Sequence, residues 1–374
     1  MRILFLHCAR EWSGTARAFA VAARGLAARG YNVTFLAEPH SNVEQSASRM
    51  ATVASRIAGE DAAPARKDVA PFEVMAFTCD GLWMACAWRL RHLFRRWDFD
   101  VVFVHSAQEH LVAAAACWLG RGGKVIRRVS PGTMIDAGFG TKLAGWLCDT
   151  TWLFADEADR RKAALPKGSR SHVAHLGVDA SRYPERTVVQ NPRPEDIRYI
   201  ICVYDPTSRG RAATAIRTVS MLAPRHPYLR LIIFGAGSDS EDLRMQAAAL
   251  EVMHLVSFLG ERDDHLTLMR DAELGWIVAE GDTAAFGILD LMALGVPLIA
   301  AEGSVAGTYV ANQISGTLIP PEDAPATAAI VVTLLASEEQ RQAMGAAARV
   351  RVAREFPEVA MIDGFEAAIK GERH

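Results

Sequence analysis

The sequence predicts an α/β protein made of two doubly wound parallel-sheet domains in tandem. Three observations carry this reading. Short apolar, β-branched runs recur along the chain, most are followed by apolar residues at helical spacing, and one polar, proline-rich break divides the series near its middle. A chain of 374 residues is long enough to give each domain a sizeable core.

The first series opens with "RILFLH", a short buried strand, followed by the helical "SGTARAFAVAARGLAARG", which stops at Gly30, and the strand "YNVTFLAEP". Strand, helix and strand joined by short connections specify a parallel pair, because a parallel crossover needs a covering helix. The pattern continues with "DVVFVHS" at 100–106, a small-residue helix over 107–120, and the strands "KVIRRVS", "TTWLFAD" and "SHVAHLG". The stretch "RYPERTVVQNPRPEDIR" (182–198) has neither period and is rich in Pro, charge and amides, as exposed linkers are.

The second series runs "RYIICVYD", a helix over 211–223, "LRLIIFGAG" (229–237), a helix over 240–250, "HLVSFLG", "ELGWIVAEG", a helix around 286–294, "VPLIAAEG" and "SGTLIPPED". Two amphipathic stretches, "SEEQRQAMGAAARVRVAREF" and "EVAMIDGFEAAIKG", close the chain. The expected division is 1–185, a linker at 186–196, a second domain at 197–355, and a C-terminal helix in 356–374 that crosses back to the first domain. Tandem sheets of this kind place a cleft at the carboxyl ends of their strands, where open α/β sheets bind ligands.

Composition narrows the function classes. Half of the residues are hydrophobic, 22% are charged and the net charge is −2, which suits a globular protein and argues against nucleic acid as a partner. No apolar run reaches the 18–20 residues of a membrane span, and the N-terminus lacks a signal-peptide core. Six cysteines are scattered singly, without C-x-x-C or metal-ligand spacing, so a reducing cytoplasm is the expected compartment.

Several stretches carry candidate chemistry. "FGAGSDSEDL" (234–243) has G-x-G between a strand and a helix but lacks the third dinucleotide-binding glycine, so as a dinucleotide fingerprint it is weak, and a tight strand-to-helix turn capped by Ser238 or Asp239 accounts for it better. Arg209, Gly210 and Arg211 fall where a helix begins, and guanidinium groups beside free helix amides suit a pyrophosphate or a solvated helix start. His7, His105 and His175 end predicted strands, a position open to a cleft role or a structural hydrogen bond. "WRLRHLFRRWDFD" (88–100) interleaves aromatics with Arg89, Arg91, Arg95 and Arg96, which fits either an anionic membrane surface or a helix packed on the sheet with solvated arginines. Asp282 and Asp290, eight positions apart around Phe286-Gly287-Ile288, are helix-start acids or a working pair. P-loop, H-E-x-x-H and G-x-S-x-G motifs are absent.

Taken in order, "VYDPTSRGRA", "FGAGSDSEDL", "SFLGERDD", "DTAAFGILDLMALGVPLIA", "SGTLIPPED" and "RQAMGAAARVRV" resemble the family 4 glycosyltransferases. Members of that family read "G-R-L-x-x-x-K-G", "G-x-G", "F-L-G", "E-G-F-G-L-P-x-x-E-A-M-A-x-G-x-P-V-I-A", "T-G-x-L-V-P-P" and "R-x-x-M-G-x-x-A-R". In the first half, "SGTARAFAVAARGLAARGYNVTFL" and "HLGVD" (175–179) are similar to the family's glycine turn, helix and strand and to its "N-G-V-D".

The resemblance implies a GT-B fold, two Rossmann-like domains facing each other across a cleft, and transfer of a sugar from a nucleotide diphosphate sugar with retention at the anomeric carbon. Asp282 would face the donor sugar, and Asp290 would hold the ribose hydroxyls, as a carboxylate accepting two hydrogen bonds can. Arg209 would stabilise the departing diphosphate. Gly14 would lie beneath the pyrophosphate, Gly235 and Gly237 would line the nucleotide pocket, and Phe258 and Arg262 the base. The backbone N–H groups of Phe286, Gly287 and Ile288 would meet phosphate or sugar oxygens.

His105 joins Asp282 and Arg209 in the expected catalytic set, and Arg127 and Arg128 are candidates for an anionic acceptor, whether a glycan, a lipid-linked sugar or a small molecule. No metal or other cofactor is expected, since Arg209 and helix N-termini supply the charge. A lipid-borne acceptor would suit peripheral contact of 88–97 with the inner face of the membrane. The family arginine of "G-R-L" falls at Tyr204 or Asp205 and both glutamates are aspartates, which supports an alternative: an inactive GT-B protein that binds or scaffolds another transferase.

Overall fold

Every strand pairing among the described residues is parallel, and the strands divide between two sheets. The computed structural model describes residues 1–56, 72–120, 123–135, 138–165, 168–184, 186, 197–262 and 264–371, so positions 187–196 of the expected linker lie outside the described residues. The chain forms two compact units, residues 1–175 with 359–374, and residues 176–358.

Unit 1 contains β1 (Arg2–His7), α1 (Gly14–Ala28), β2 (Asn32–Ala37), α2 (Asn42–Arg56), β3 (Glu73–Ala76), α3 (Trp83–Trp97), β4 (Val101–Val104), α4 (Ala107–Gly120), β5 (Lys124–Val129), α5 (Phe139–Leu147), β6 (Thr150–Phe154), α6 (Glu157–Lys162) and β7 (Arg170–Val173). Its seven strands lie in the order β3-β2-β1-β4-β5-β6-β7. Ile3, Leu4, Phe5 and Leu6 of β1 are buried as a continuous apolar run, as a parallel strand covered on both faces must be. Ser13 starts α1 by accepting the Ala16 N–H at 3.3 Å. Right-handed crossovers send α1 and α2 to one face and α3 to α6 to the other. Between α3 and α5, helix α4 is buried from Glu109 to Cys117.

Unit 2 contains β8 (Arg198–Val203), α7 (Arg209–Leu222), β9 (Leu229–Phe234), α8 (Glu241–Ala249), β10 (Val256–Phe258), α9 (His265–Arg270), β11 (Leu274–Ile277), α10 (Gly281–Leu294), β12 (Leu298–Ala301), α11 (Ala306–Tyr309), β13 (Thr317–Ile319), α12 (Ala324–Ala336) and α13 (Glu338–Glu355). The sheet order is β10-β9-β8-β11-β12-β13. Helix α10 is buried almost all round. A Cβ on Gly287 would stand 3.0 Å from Val203 Cγ1, and one on Gly345 of α13 would stand 2.0 Å from the Gly295 carbonyl oxygen. These two glycines let α10 lie directly on its sheet and α13 directly on α10.

The final helix, α14 (Glu358–Lys370), belongs to unit 1. Its Phe365 is fully buried with ring centroids 6.4 Å from Phe5 and 5.4 Å from Phe103. Arg29 ties it to Asp363 at 2.5 Å and to Glu366. Residues 176–184 group with unit 2, some ten residues before the break read from the sequence, because their bonds go there: Leu176 N–H donates to Tyr309 Oη at 3.2 Å and Val178 N–H to the Phe356 carbonyl at 3.1 Å.

The expectation of six unlinked cysteines is corrected at one pair. Cys8 and Cys79, in the loops after β1 and β3, form a disulfide with Cα atoms 5.8 Å apart. No helix among the described residues is long and apolar enough to cross a membrane.

Candidate functional site

In unit 2 the chain leaves β8 toward β9 and leaves β11 toward β12, so the carboxyl ends of the neighbouring strands β8 and β11 form the switch point where such sheets open a crevice. The Val278 and Ala279 N–H groups both donate to the Val203 carbonyl, at 3.1 and 2.9 Å, and hold the two ends together. Asp205 completes the join. One carboxylate oxygen accepts from Thr207 N–H at 2.8 Å and from its hydroxyl at 2.5 Å, and the other accepts from Glu280 N–H at 2.5 Å. Burial pushes the Asp205 carboxyl above its ordinary value, against the pull of Thr207 and Arg211.

The two arginines at the start of α7 part company here, since residues two apart on a helix point to different sides. Arg209 stands on the exposed rim and pairs with Asp242, in the first turn of α8, at 3.0 Å. Arg211 reaches to the end of β11 instead, donating to the Val278 carbonyl at 3.1 Å and pairing with Glu280. Arg211 is therefore the cation held at the switch point.

The glycine turn after β9 abuts the same region. Gly235 has φ +123°, and a Cβ there would fall 2.1 Å from the Tyr204 carbonyl oxygen, so only glycine fits. Gly235 N–H donates to the Gly260 carbonyl at 2.9 Å and Gly260 N–H to Ser238 Oγ at 3.0 Å, which locks the turn onto the end of β10. Gly237 takes φ +69° two residues on. The Phe258 ring is buried beneath the Arg244 guanidinium, 5.3 Å from its centroid, and Arg262 is exposed and bonded twice to Asp264, at 2.6 and 2.7 Å.

Helix α10 carries both aspartates. Asp282 lies buried in its first turn, where aligned peptide dipoles favour negative charge. Asp290 is buried two turns further on, about 12 Å along the axis. One Asp290 oxygen accepts a hydrogen bond from Tyr183 Oη at 2.5 Å. The expected helix start at Phe286 is corrected: α10 begins at Gly281, and the N–H groups of Phe286, Gly287 and Ile288 lie in the helix interior, where amides bond to the carbonyls four residues back. The first-turn amides belong to residues 281–283.

In unit 1, β1 and β4 are adjacent and make the corresponding switch point. Glu109, in the first turn of α4, accepts from Cys8 N–H at 2.7 Å, His105 N–H at 2.9 Å and Ser106 N–H at 3.0 Å, with His7 Nδ1 at 4.0 Å. Burial opposes ionisation of Glu109, but His7, His105 and these amides outweigh it and hold its carboxyl below the ordinary value. The His7 and His105 ring centroids are 6.4 Å apart.

Arg127 and Arg128 point to opposite faces of the sheet, as strand neighbours do. Arg127 turns toward α4 and α5: its Nε donates to the His105 carbonyl at 3.3 Å and its Nη1 to Thr141 Oγ1 at 3.2 Å. Beside it His110 is driven down to about 3 by burial and by the Arg127 charge. Arg128 turns toward α1. Its Nη1 donates to Ser130 Oγ at 3.5 Å, and Ser130 Oγ lies 3.3 Å from Thr15 Oγ1, next to Gly14 at the helix start. Of the two candidate acceptor arginines, Arg128 is the one beside Gly14. Among the described residues no group of three or more His, Cys, Asp or Glu side chains is placed to hold a metal ion.

Comparison with known proteins places these features. Residues 185–351 match the model of "Glycosyl transferases group 1", and residues 12–129 match that of "Glycosyltransferase Family 4". The chain belongs to glycosyltransferase family 4. Among its relatives, a phosphatidyl-myo-inositol mannosyltransferase of Mycolicibacterium smegmatis is 29% identical over 183 residues, 48% of this chain and 46% of that protein. A glycogen synthase of Mycobacterium tuberculosis is 26% identical over 208 residues, 54% of this chain and 49% of that protein. The match thus spans about half the length of these relatives. The Anabaena protein HepE, solved with UDP and glucose, superposes with a TM-score of 0.77 at 15% identity, covering 99% of both chains, which is a likeness of fold. Two Rossmann-like parallel-sheet units of the GT-B kind make up the chain.

Counting the family 4 motif back from Gly295 and Pro297 puts its two glutamates on Asp282 and Asp290 and its Phe-Gly on Ala284-Ala285, two residues before Phe286-Gly287. The phenylalanine and glycine here are core residues. Tyr183, Glu109 and Glu280 were not singled out in the sequence, and Asp205 only as a position where the family arginine is missing. Tyr183 sits at the edge of the polar break and is brought to Asp290 by folding alone, whereas Arg211 was visible beside Arg209 and its direction was not.

Proposed function

We propose that the chain is an active glycosyltransferase that moves a sugar from a nucleotide diphosphate sugar, held by unit 2, to a glycan, lipid-linked or small-molecule acceptor, held by unit 1, with retention at the anomeric carbon. The convergence of a glycine-only turn, two arginines, the first amides of α10 and a buried acid at the carboxyl ends of β8, β9 and β11 carries this reading.

In the reading, Asp290 accepts the ribose hydroxyls, Gly235 and Gly237 admit the nucleotide backbone closely, and Arg209 and Arg211 meet the diphosphate. Positive charge aimed at the leaving diphosphate lowers the barrier most, because negative charge grows there in the transition state. The first-turn amides of α10 add to it. No metal enters this reading, the arginines and amides taking the role of a divalent ion. His105 and Arg128 face the acceptor. The protein works in the cytoplasm in this reading.

One specific observation favours a second reading, an inactive binding or scaffold protein. Asp205 already occupies the Glu280 amide, and Glu280 already neutralises Arg211. A carboxylate of the chain thus stands where the family arginine would.

Calorimetric titration with UDP, GDP and ADP separates the two. The transferase reading expects one of these nucleotides to bind, and Asp290→Ala and Arg211→Ala to weaken it at least tenfold, with release of nucleotide from the matching sugar donor in the presence of acceptor. Absence of binding by the folded wild-type chain to all three would refute it and favour the scaffold.

A further inference from the structure

We propose that the outer face of α3, α4 and α5 in unit 1 docks on an anionic lipid bilayer. The inference is independent of sugar transfer and rests on exposed aromatics and charge.

Helix α3 buries one stripe, Cys86, Ala87, Leu90 and Phe94, so part of the basic helix does pack on its domain. A stripe flanking it, Met84, Trp88, Arg91 and Arg95, recurs at steps of four, three and four and lies along one line, on which the half-buried Arg91 stacks on Trp88 and donates to the Leu119 carbonyl at 3.2 Å. On α5 the same spacing puts Phe139, Lys142 and Trp146 on one line, with Phe139 81% and Trp146 77% exposed. Leu82, just before α3, is 71% and Trp118, near the end of α4, 60% exposed. Helix α4 lies between α3 and α5, which makes these residues one face.

Single exposed apolar residues are ordinary, but a cluster of this size is not. Unit 2 supplies the contrast. Its exposed large apolar residues, such as Met221, Met245, Ile314 and Val350, include no tryptophan or phenylalanine among the described residues. All exposed tryptophan and phenylalanine side chains described, Trp88, Trp118, Phe139 and Trp146, fall on this one face.

Charge identifies the occupant. The three helices present Arg89, Arg91, Arg95, Arg96 and Lys142, and the one acid they contain, Glu109, is buried. Among the described residues the adjoining loops add Asp80, Asp98, Asp100 and Asp149, so the acids lie at the helix ends while the five cations stand on the helices themselves. Among the described residues none of the five cations is paired with a carboxylate. Tryptophan and phenylalanine beside arginine and lysine that lack a carboxylate partner match the headgroup layer of a bilayer, where rings enter the acyl boundary and cations meet lipid phosphates. An acidic protein partner would match the charge but not so many fully exposed rings.

The test is flotation of the full chain with vesicles of mixed phosphatidylcholine and phosphatidylglycerol, with phosphatidylcholine vesicles as control, at low and high salt. Binding to the mixed vesicles, weakened by salt and accompanied by a blue shift of tryptophan emission, is expected. Arg95→Glu/Arg96→Glu should bind more than tenfold more weakly, because each basic residue near an anionic surface contributes appreciably to partitioning. Phe139→Ser/Trp146→Ser should lose the residual binding that survives high salt, with an unchanged circular dichroism spectrum. The proposal is overturned if the wild-type chain stays with neither vesicle at low salt, if it binds both equally, or if the variants float like wild type. Light scattering gives a further refutation: a stable dimer that Trp146→Ser dissociates, without vesicle binding, would assign the face to a second copy.

Discussion

Replacing Tyr183 by Phe removes one hydroxyl and isolates the 2.5 Å hydrogen bond to Asp290. Both side chains are buried, so water does not replace the lost donor freely. A hydrogen bond to a carboxylate contributes roughly 1.5–3 kcal/mol, and Phe keeps the packing of the ring. For a unit of this size each kcal/mol moves the midpoint by about 2–4 °C, so Tyr183→Phe should melt roughly 3–12 °C lower by calorimetry. Nucleotide binding should move the other way. A ribose hydroxyl that bonds Asp290 Oδ1 competes with Tyr183 for that oxygen, and removing the competitor returns up to about 1.5 kcal/mol, roughly tenfold in affinity. A variant that is less stable yet binds nucleotide diphosphate more tightly is the expected result. An unchanged melting temperature would refute the energetic value of the bond. A parallel loss of affinity would show that Tyr183 supports the ribose site and does not compete for it.

Other perturbations probe the remaining contacts. Phe365→Ala should destabilise unit 1 by about 3–5 kcal/mol, the range for truncating a buried aromatic, and urea unfolding would read this as a lower midpoint with a similar slope. Glu109 has a carboxyl held below its ordinary value of 4.5, so its stabilisation is complete above the unfolded carboxylate range and is lost as pH falls through the folded value. Glu109→Gln should therefore cost roughly 1–3 kcal/mol at neutral pH and flatten the acid limb of the stability curve, as measured by urea midpoints between pH 3 and 7, since three backbone donors lose their charged acceptor. Thiol titration in denaturant without reductant should find four reactive cysteines of six, rising to six after reduction; six without reductant would remove the Cys8–Cys79 link.

Much of the architecture was legible in the sequence because it is written in local periodicity. Continuous apolar runs such as "RILFLH" and "DVVFV" have one comfortable environment, a strand covered on both faces, and the helices between them impose parallel pairing. Helix α2 and the short strand β3 went unread, since "NVEQSASRM" is polar and "EVMA" is too brief to show a period. The start of α10 was placed at Phe286, whereas the helix begins at Gly281. Asp-Thr-Ala-Ala ahead of Phe286 forms helix readily, and Gly287 proves to be a packing residue on Val203 and Ile277.

The sequence by itself determined the two parallel-sheet domains, the order of the family motifs, and the presence of acids and arginines at strand ends. Tertiary structure alone decided which of those side chains meet. Tyr183 and Asp290 are 107 residues apart, Cys8 and Cys79 are 71, and Glu109 meets Cys8 across 101. Arg127 and Arg128 are adjacent in sequence yet serve opposite faces, and Arg209 and Arg211 diverge around one helix turn. Local spacing encodes direction relative to an element's own axis, whereas partnership depends on how distant elements pack, and no short stretch contains that information.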